Sequence, residues 1–429
     1  MKAEDSGRDA IPDAQSRVEQ LEAELRDRDL LIALLEQQRA DMERRMAEIH
    51  GSRSWRLGAP LRALSGLGRK AGDLLRGGVL RPQKRVAPVP GNAMAGDGLR
   101  EENTSVIYRI IGNDLPPRHR SGQSLDNLRF ILEHEADFDG CEKIFILNRI
   151  VDPMQEATAA QLLDDAGYRY LRIPFVSGEY RQLELDSKLV PQAEKYLSRP
   201  EVSRDPAAST RLLMALHRHR ISYVMNVNQA RNVALEDGAT RARWVLPWDG
   251  NCFLTADGWE QIHRDMGRQP GNRYFLVPMA RMRSNAPLLN GDCGVPQCAE
   301  EPQVIFRADA GERFNPRIYY GHRDKVELLW RLGADGPWSS YRDDPWDPPR
   351  PAVSTDAGHV GRTGWVARLY SGRSSLEGET EHSASHRALA RSMAVMEMLR
   401  RLDDLNEVRL PRENMMALEL FKTKIEGTL

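Results

Sequence analysis

Residues 243–248 of this 429-residue chain, Arg-Trp-Val-Leu-Pro-Trp, form a short apolar run that stops at Asp249-Gly250-Asn251. A run of that length bounded by turn residues predicts a buried strand. Just before it, 228–238 (NQARNVALEDG) can place Ala230, Val233 and Ala234 on one helix face. Gly238 suits a helix stop, because a residue without Cβ enters the left-handed region cheaply. At the strand's end a carboxylate and a carboxamide stand two residues apart. The Gly between them lets the backbone turn so that both oxygens face one hard cation. The same tripeptide is also a common turn sequence, and that reading stays open.

The flanking chain repeats this helix–strand order. Strand patterns fall at 105–111, 143–148, 168–175, 273–282 and 302–307, and helical patterns at 126–134, 154–167, 259–266 and 386–405. Alternation of this kind predicts an α/β domain with a mainly parallel sheet and ligands at the carboxyl ends of its strands. The turn after the first strand, Gly112-Asn113-Asp114, then points at a ligand pocket, with Asp152 a second candidate. His217 and His219 are two apart, so a helix would not bring them to one face, and they are expected at the surface. Arg218, Arg220 and Arg231 are candidates for phosphate oxygens, since guanidinium forks match that geometry.

Ahead of this domain, 15–50 carries apolar residues at eight of ten a and d positions when Val18 is taken as a. Arg28 and Arg39 are the two exceptions. Five such heptads favour a coiled coil and a homodimer over a lone solvated helix. Residues 53–85 hold nine Lys/Arg and one acid among aliphatic residues and Trp55, a mixture suited to an anionic membrane surface or to a basic linker. The organisation expected is a tail at 1–14, the coiled coil, a basic and Pro/Gly-rich segment at 51–103, the main domain at 104–375 and a helical segment at 376–429.

A formal net charge of -1 gives no reason to expect a nucleic-acid partner. Four cysteines are too few for a disulfide framework and suggest a reducing compartment. No run approaches the roughly 18 apolar residues of a membrane span, and 1–10 is polar. The expectation is a cytoplasmic protein, peripheral on the membrane's inner face.

The helix Ala230-Arg231-Asn232…Gly238 followed by a strand ending in Asp249-x-Asn251 resembles the donor site of inverting GT-A glycosyltransferases of the family 2 kind. The phrase Ser52-x-Ser54-Trp55-Arg56-Leu57-x-x-Pro60-Leu61-Arg62 resembles the flank of bacterial cell-surface polysaccharide glycosyltransferases. The likeness implies a Rossmann-like GT-A domain. It implies a nucleotide-sugar donor, a glycan or lipid-linked glycan acceptor, and a divalent Mn or Mg ion. Asp249 and Asn251 would hold the ion, with His359 from a C-terminal loop as a further ligand. Asn113, Asp114, Arg231 and Asn232 join Asp249 on the donor. Aligned on Arg331-Leu332, the family's acidic pair falls at Asp324-Lys325, which makes Asp324 the general base. Glu327, Asp309 and Asp292 are the other candidates for that role. Two positions depart from the family pattern, Asn251 and Lys325. They leave open an inactive sugar-nucleotide-binding scaffold with a coiled-coil arm. Trp244, Trp248, Trp330 and Trp338 are candidate sugar-stacking rings or core residues.

Overall fold

The structure, a computed structural model, describes residues 89–90, 104–116, 118–189, 206–290, 298, 300–341, 343–370 and 381–406. The expected coiled coil, the basic segment 53–85 and Asp292 lie outside them. The chain divides into Met1–Arg85 and Val86–Leu429, and every described residue belongs to the second unit.

In chain order the elements are β1 (Val89–Pro90), β2 (Ser105–Ile111), α1 (Gln123–His134), β3 (Cys141–Asn148), α2 (Pro153–Asp165) and β4 (Arg169–Ile173). Then come α3 (Pro206–Leu216), α4 (Arg218–Met225), α5 (Val227–Gly238), β5 (Trp244–Asp249), β6 (Cys252–Phe253), α6 (Ala256–Arg268) and β7 (Tyr274–Arg281). The last are β8 (Glu300–Arg307), α7 (Val326–Arg331), β9 (Val360–Arg362), β10 (Val366–Arg368) and α8 (Glu381–Leu405). The strands join in one sheet, ordered β1-β4-β3-β2-β5-β8-β7-β10-β6, with β9 also on β7.

The centre of the sheet is parallel: β4, β3, β2 and β5 run together, with Ile110 level with both Ile146 and Asp249. Both faces are covered, which is why these strands read as continuous apolar runs. Val106, Tyr108, Ile144 and Ile146 pack with Ala230, Val233 and Ala234 of α5. The alternate residues Ile111, Phe145 and Leu147 pack with Leu128 and Ile131 of α1 and Leu163 of α2. β8 is antiparallel to β5 and β7, while β7 and β10 are parallel. The carboxyl ends of β2, β3, β5, β7 and β10 therefore meet at one edge, joined there by the amino end of β8. The α/β class and mainly parallel sheet follow the sequence pattern; β8 adds the one long antiparallel strand.

Arg109, the single charge in β2, is 1% exposed. It lies 2.6 Å from the equally buried Glu135, which also meets Lys143 at 3.4 Å and accepts a hydrogen bond from Leu254 N. A guanidinium can stay in this core because its carboxylate partner is buried with it.

A helical layer of α3, α4 and α8 covers part of the same edge, built on Leu212, Leu216, Ile221, Val224, Val395 and Leu399. Asp403 of α8 accepts from Arg220 at 2.8 Å and from the Tyr180 hydroxyl at 2.7 Å. Among the described residues no helix is long and apolar enough to cross a membrane.

Three local expectations change. Gly238 lies inside the last turn of α5 and is not left-handed; a Cβ there would meet Val245 Cγ1 at 2.6 Å, so close packing of α5 on β5 requires it. Gly250 is likewise not left-handed, and a Cβ would come within 2.4 Å of the Ile110 carbonyl oxygen. His217 is buried rather than at the surface, closing the junction of α3 and α4.

Candidate active site

At the shared strand edge lies a cavity of about 600 Å³. Its lining includes Gly112 and Asn113 from the end of β2, Asn148 from β3, and Asp249, Gly250 and Asn251 from β5 and its turn. Arg231 of α5, Asp324 and Lys325 before α7, and Trp338 also line it. Residues more than two hundred positions apart in sequence thus converge on one space, where open α/β sheets take their ligands.

Asp249 is the centre of the inner wall. Arg231 Nη2 donates to its Oδ1 at 2.7 Å, while Gln303 Nε2 and Lys325 Nζ donate to its Oδ2 at 2.9 and 3.2 Å. Burial pushes the Asp249 carboxyl up, but Lys325 and then Arg231 outweigh it and hold the group well below the usual carboxylate range. Arg231 Nη1 also reaches Asp324 Oδ2 at 3.3 Å, and Gly321 N donates to Asp324 Oδ1 at 3.2 Å. One guanidinium therefore bridges the two acids.

The motif around Arg231 explains how the bridge is set. Asn228, one turn earlier, accepts from Arg231 Nη1 and donates to the carbonyls of Asn315 and Asp324. Asn232 exchanges two hydrogen bonds with the Phe314 backbone at 2.8 and 2.9 Å. Asn232 thus anchors the loop that delivers Asp324 and Lys325, and it does not line the cavity.

The turn after β2 is similarly built. Asn113 donates to the Arg149 carbonyl and accepts from Val151 N, each at 2.8 Å, which fixes the turn after β3. Asp114 accepts from Gly122 N, Ser124 N and Ser124 Oγ, holding the start of α1. Asn113 lines the cavity and Asp114 does not. Asp152 caps α2 by accepting from Met154 N.

The other candidates lie apart. His359 Nδ1 meets Asn272 Oδ1 at 3.1 Å, outside the cavity lining. Glu327 pairs with Arg331 and Asp309 with Arg307. Arg218 pairs with Asp186 and Arg220 with Asp403, so of the three phosphate candidates only Arg231 faces the cavity. Trp244 and Trp248 are core residues, and Trp330 carries Arg350 over its ring at 4.5 Å.

No protein-family model matches this chain, and neither does any curated protein.

The divalent cation expected at Asp249 and Asn251 does not fit this donor set. Both Asp249 oxygens already accept hydrogen bonds, two of them from cationic groups, and a metal there would sit against the Lys325 ammonium. A second group, His322, Asp344 and Asp347, brings one ligand atom from each within 4.8 Å. There His322 Nε2 is 2.6 Å from Asp347, while Arg211 and Arg323 pair with Asp344 and Asp347.

Sequence reading passed over Gln303 and three of the cavity's arginines, Arg281, Arg368 and Arg391. Arg281 and Arg368 carry a signal in hindsight, since each closes a predicted or short strand at the ligand edge. Gln303 carries none: a polar residue inside 302–307 is the ordinary content of a half-buried strand.

Proposed function

We propose that this chain is a GT-A-type glycosyltransferase, moving a sugar from a nucleotide-sugar donor to a glycan or lipid-linked glycan acceptor with inversion. The observation that carries this reading is the convergence of the 112–113 turn, Arg231, Asp249, Asn251, Asp324 and Lys325 on one cavity at the strand ends. In the reaction the acceptor hydroxyl oxygen bonds to the anomeric carbon, the bond to the diphosphate breaks, and Asp324 takes the hydroxyl proton. Arg231 orients Asp324, and Arg231 and Lys325, already balanced by Asp249 and Asp324, stand beside the leaving group as cationic hydrogen-bond donors, so no step needs a metal on Asp249. The heptad pattern at 15–50 and the basic sequence at 53–85 support the further reading that two copies pair and lie on the anionic inner face of the membrane.

The test is release of UDP or GDP from UDP- and GDP-sugars, with and without glycan acceptors, by wild type and by Asp249→Asn and Asp324→Asn. A loss of about a hundredfold or more in both variants, with folding retained by circular dichroism, supports the enzyme. Nucleotide binding without turnover on any donor supports the second reading, a sugar-nucleotide-binding scaffold. That reading is favoured by Lys325, which stands where the family pattern has an acid and spends its charge on Asp249.

A further inference from the structure

The turn that delivers Asp324 and Lys325 to the cavity carries a third side chain on the cavity wall, His322. The backbone there is tightly bent: Gly321 and Arg323, on either side of it, are both left-handed, with φ of 83° and 61°. A non-glycine residue in that region costs on the order of 1 kcal/mol or more and persists only where its surroundings hold it. Here they do. Arg323 Nη1 and Nη2 lie 2.7 Å from Asp343 and 3.3 Å from Asp347, and its guanidinium stands over the Trp330 ring at 5.3 Å. The bend puts His322 and Asp324, two positions apart, on one cavity.

His322 is oriented as a base is. Its Nε2 lies 2.6 Å from Asp347 Oδ1, and its ring stacks on Tyr319 at 5.1 Å and 15°. The other Asp347 oxygen accepts from Asp344 N at 2.7 Å and faces Arg323. Burial alone would push the Asp347 carboxyl up, but the His322 hydrogen bond, the His322 charge and Asp344 N hold it below the usual carboxylate range. An ionised carboxylate only accepts, so the neutral imidazole carries its proton on Nε2 and keeps a lone pair on Nδ1. Among the described residues Nδ1 has no hydrogen-bond partner. The His322 side chain is 16% exposed and that of Asp347 only 5%. The other charged groups around the turn are Arg211 of α3, paired with Asp344, and Arg391 of α8, whose Cδ lies over Gly321. With arginines on both Asp344 and Asp347, the group is a hydrogen-bonded dyad rather than a cation site.

Asp324 must shed the proton it takes, because both its oxygens already accept hydrogen bonds, from Arg231 Nη1 and Gly321 N. We propose that His322, held by Asp347, is the relay that receives the proton Asp324 draws from the acceptor hydroxyl. The acceptor's O–H bond breaks as its oxygen bonds to the anomeric carbon. The proton passes to Asp324 and then, through at most one water, to Nδ1 of His322. The resulting imidazolium donates from Nε2 to Asp347 and releases the proton from Nδ1 to solvent in the cavity. This inference rests on the sugar-transfer reading.

The test compares wild type, His322→Gln and Asp347→Asn, each as the full chain, in the nucleotide-release assay across about pH 5 to 8. It is joined by ¹⁵N spectra of histidine-labelled protein, with the His322 signals identified by their loss in His322→Gln. Gln still donates to Asp347 but has no nitrogen that takes up a proton. In His322→Gln, kcat is expected to fall about tenfold or more with KM unchanged. Wild-type kcat falls toward acid, as the imidazole becomes protonated and stops accepting, and that limb is missing from His322→Gln. Asp347→Asn turns an amide N–H toward Nε2, moves the ring proton to Nδ1 and gives the same loss. If Asp347→Asn fails to fold, His322→Gln decides alone. Wild-type spectra at neutral pH show the proton on Nε2 and a bare Nδ1. Turnover by wild type with kcat and the acid limb both retained in folded His322→Gln overturns the relay and leaves sugar transfer standing. So does a loss confined to KM, a loss that leaves the acid limb in place, or a wild-type spectrum with the proton on Nδ1. Absence of wild-type turnover on every donor overturns the transfer reading itself, and the relay with it.

Discussion

The inner wall of the cavity and the ends of β7 and β10 both gather arginines and carboxylates, but around different anchors. Around Asp249 each charge has a counter-charge within 3.3 Å, and Asn228, Asn232 and Gln303 lock the arrangement to the backbone and to β8. At the ends of β7 and β10 Glu300 takes both Arg281, at 2.8 Å, and Arg368, at 3.1 Å, while Arg118 and Arg391 each keep a buried Nε without a hydrogen bond. A matched set gains its energy at folding and fixes geometry.

The largest expected effect tests this contrast directly. Asp249→Asn leaves Arg231 and Lys325 facing each other with one carboxylate fewer, and is expected to lower stability by about 3 kcal/mol, measured by urea unfolding. Arg118→Gln is expected to cost nothing in the same measurement. Equal losses in the two variants would erase the distinction between the walls.

Acid sharpens the same comparison. Asp249 has a folded pKa below its ordinary value, so folding favours its ionised form. That contribution is complete above about pH 4 and fades as the pH drops further through the folded value. The stability gap between wild type and Asp249→Asn should be widest at neutral pH and close progressively in acid. A gap that stays constant down to pH 2 would mean the two cations do not stabilise this carboxylate.

Next in size is Gly250→Ala, whose added carbon collides with the Ile110 carbonyl. It is expected to cost about 2 kcal/mol and to reduce turnover by displacing Asp249, whereas a purely steric role would spare the rate per folded molecule. Asp309→Asn should be the smallest, within about 0.5 kcal/mol and with unchanged turnover, because its carboxylate is 60% exposed and its ion pair among the described residues is with Arg307. A large kinetic loss there would move the general base away from Asp324. Chelation with EDTA should change donor cleavage less than about twofold, since the Asp249 oxygens already hold Arg231 and Lys325.

Period and order made the sheet legible. The run 105–111 matches β2, and the apolar faces of 228–238 match the buried side of α5. The convergence of 112–113 and 249 could be anticipated for the same reason, because parallel strands deliver their carboxyl ends to one edge, whereas Arg231 and Asp324 were expected there only from the family resemblance. Partnership was not legible. A sequence gives Asp249 its place in a strand but not the ammonium seventy-six positions later, and it gives Asn113 a turn without showing that its amide is consumed by Arg149 and Val151. Gly238 and Gly250 were expected to serve left-handed or turning backbone, and the steric closeness to Val245 and Ile110 that requires them was invisible without the packed sheet. Arg118 and Arg391 announced nothing at all: one sits in a turn and the other on a helix, and only the fold makes them neighbours.

The helix α8 carries Arg391 toward the cavity and, further along, plants Asp403 under Tyr180 and Arg220. Seating of this rod and the cavity's electrostatic potential are therefore one mechanical variable. A chain cut after residue 370 would retain every strand and all of the Asp249 network, yet would offer incoming anions a weaker attraction. Whatever presses α8 down or pries it loose would tune anion binding while leaving the Asp249–Arg231–Asp324 network untouched.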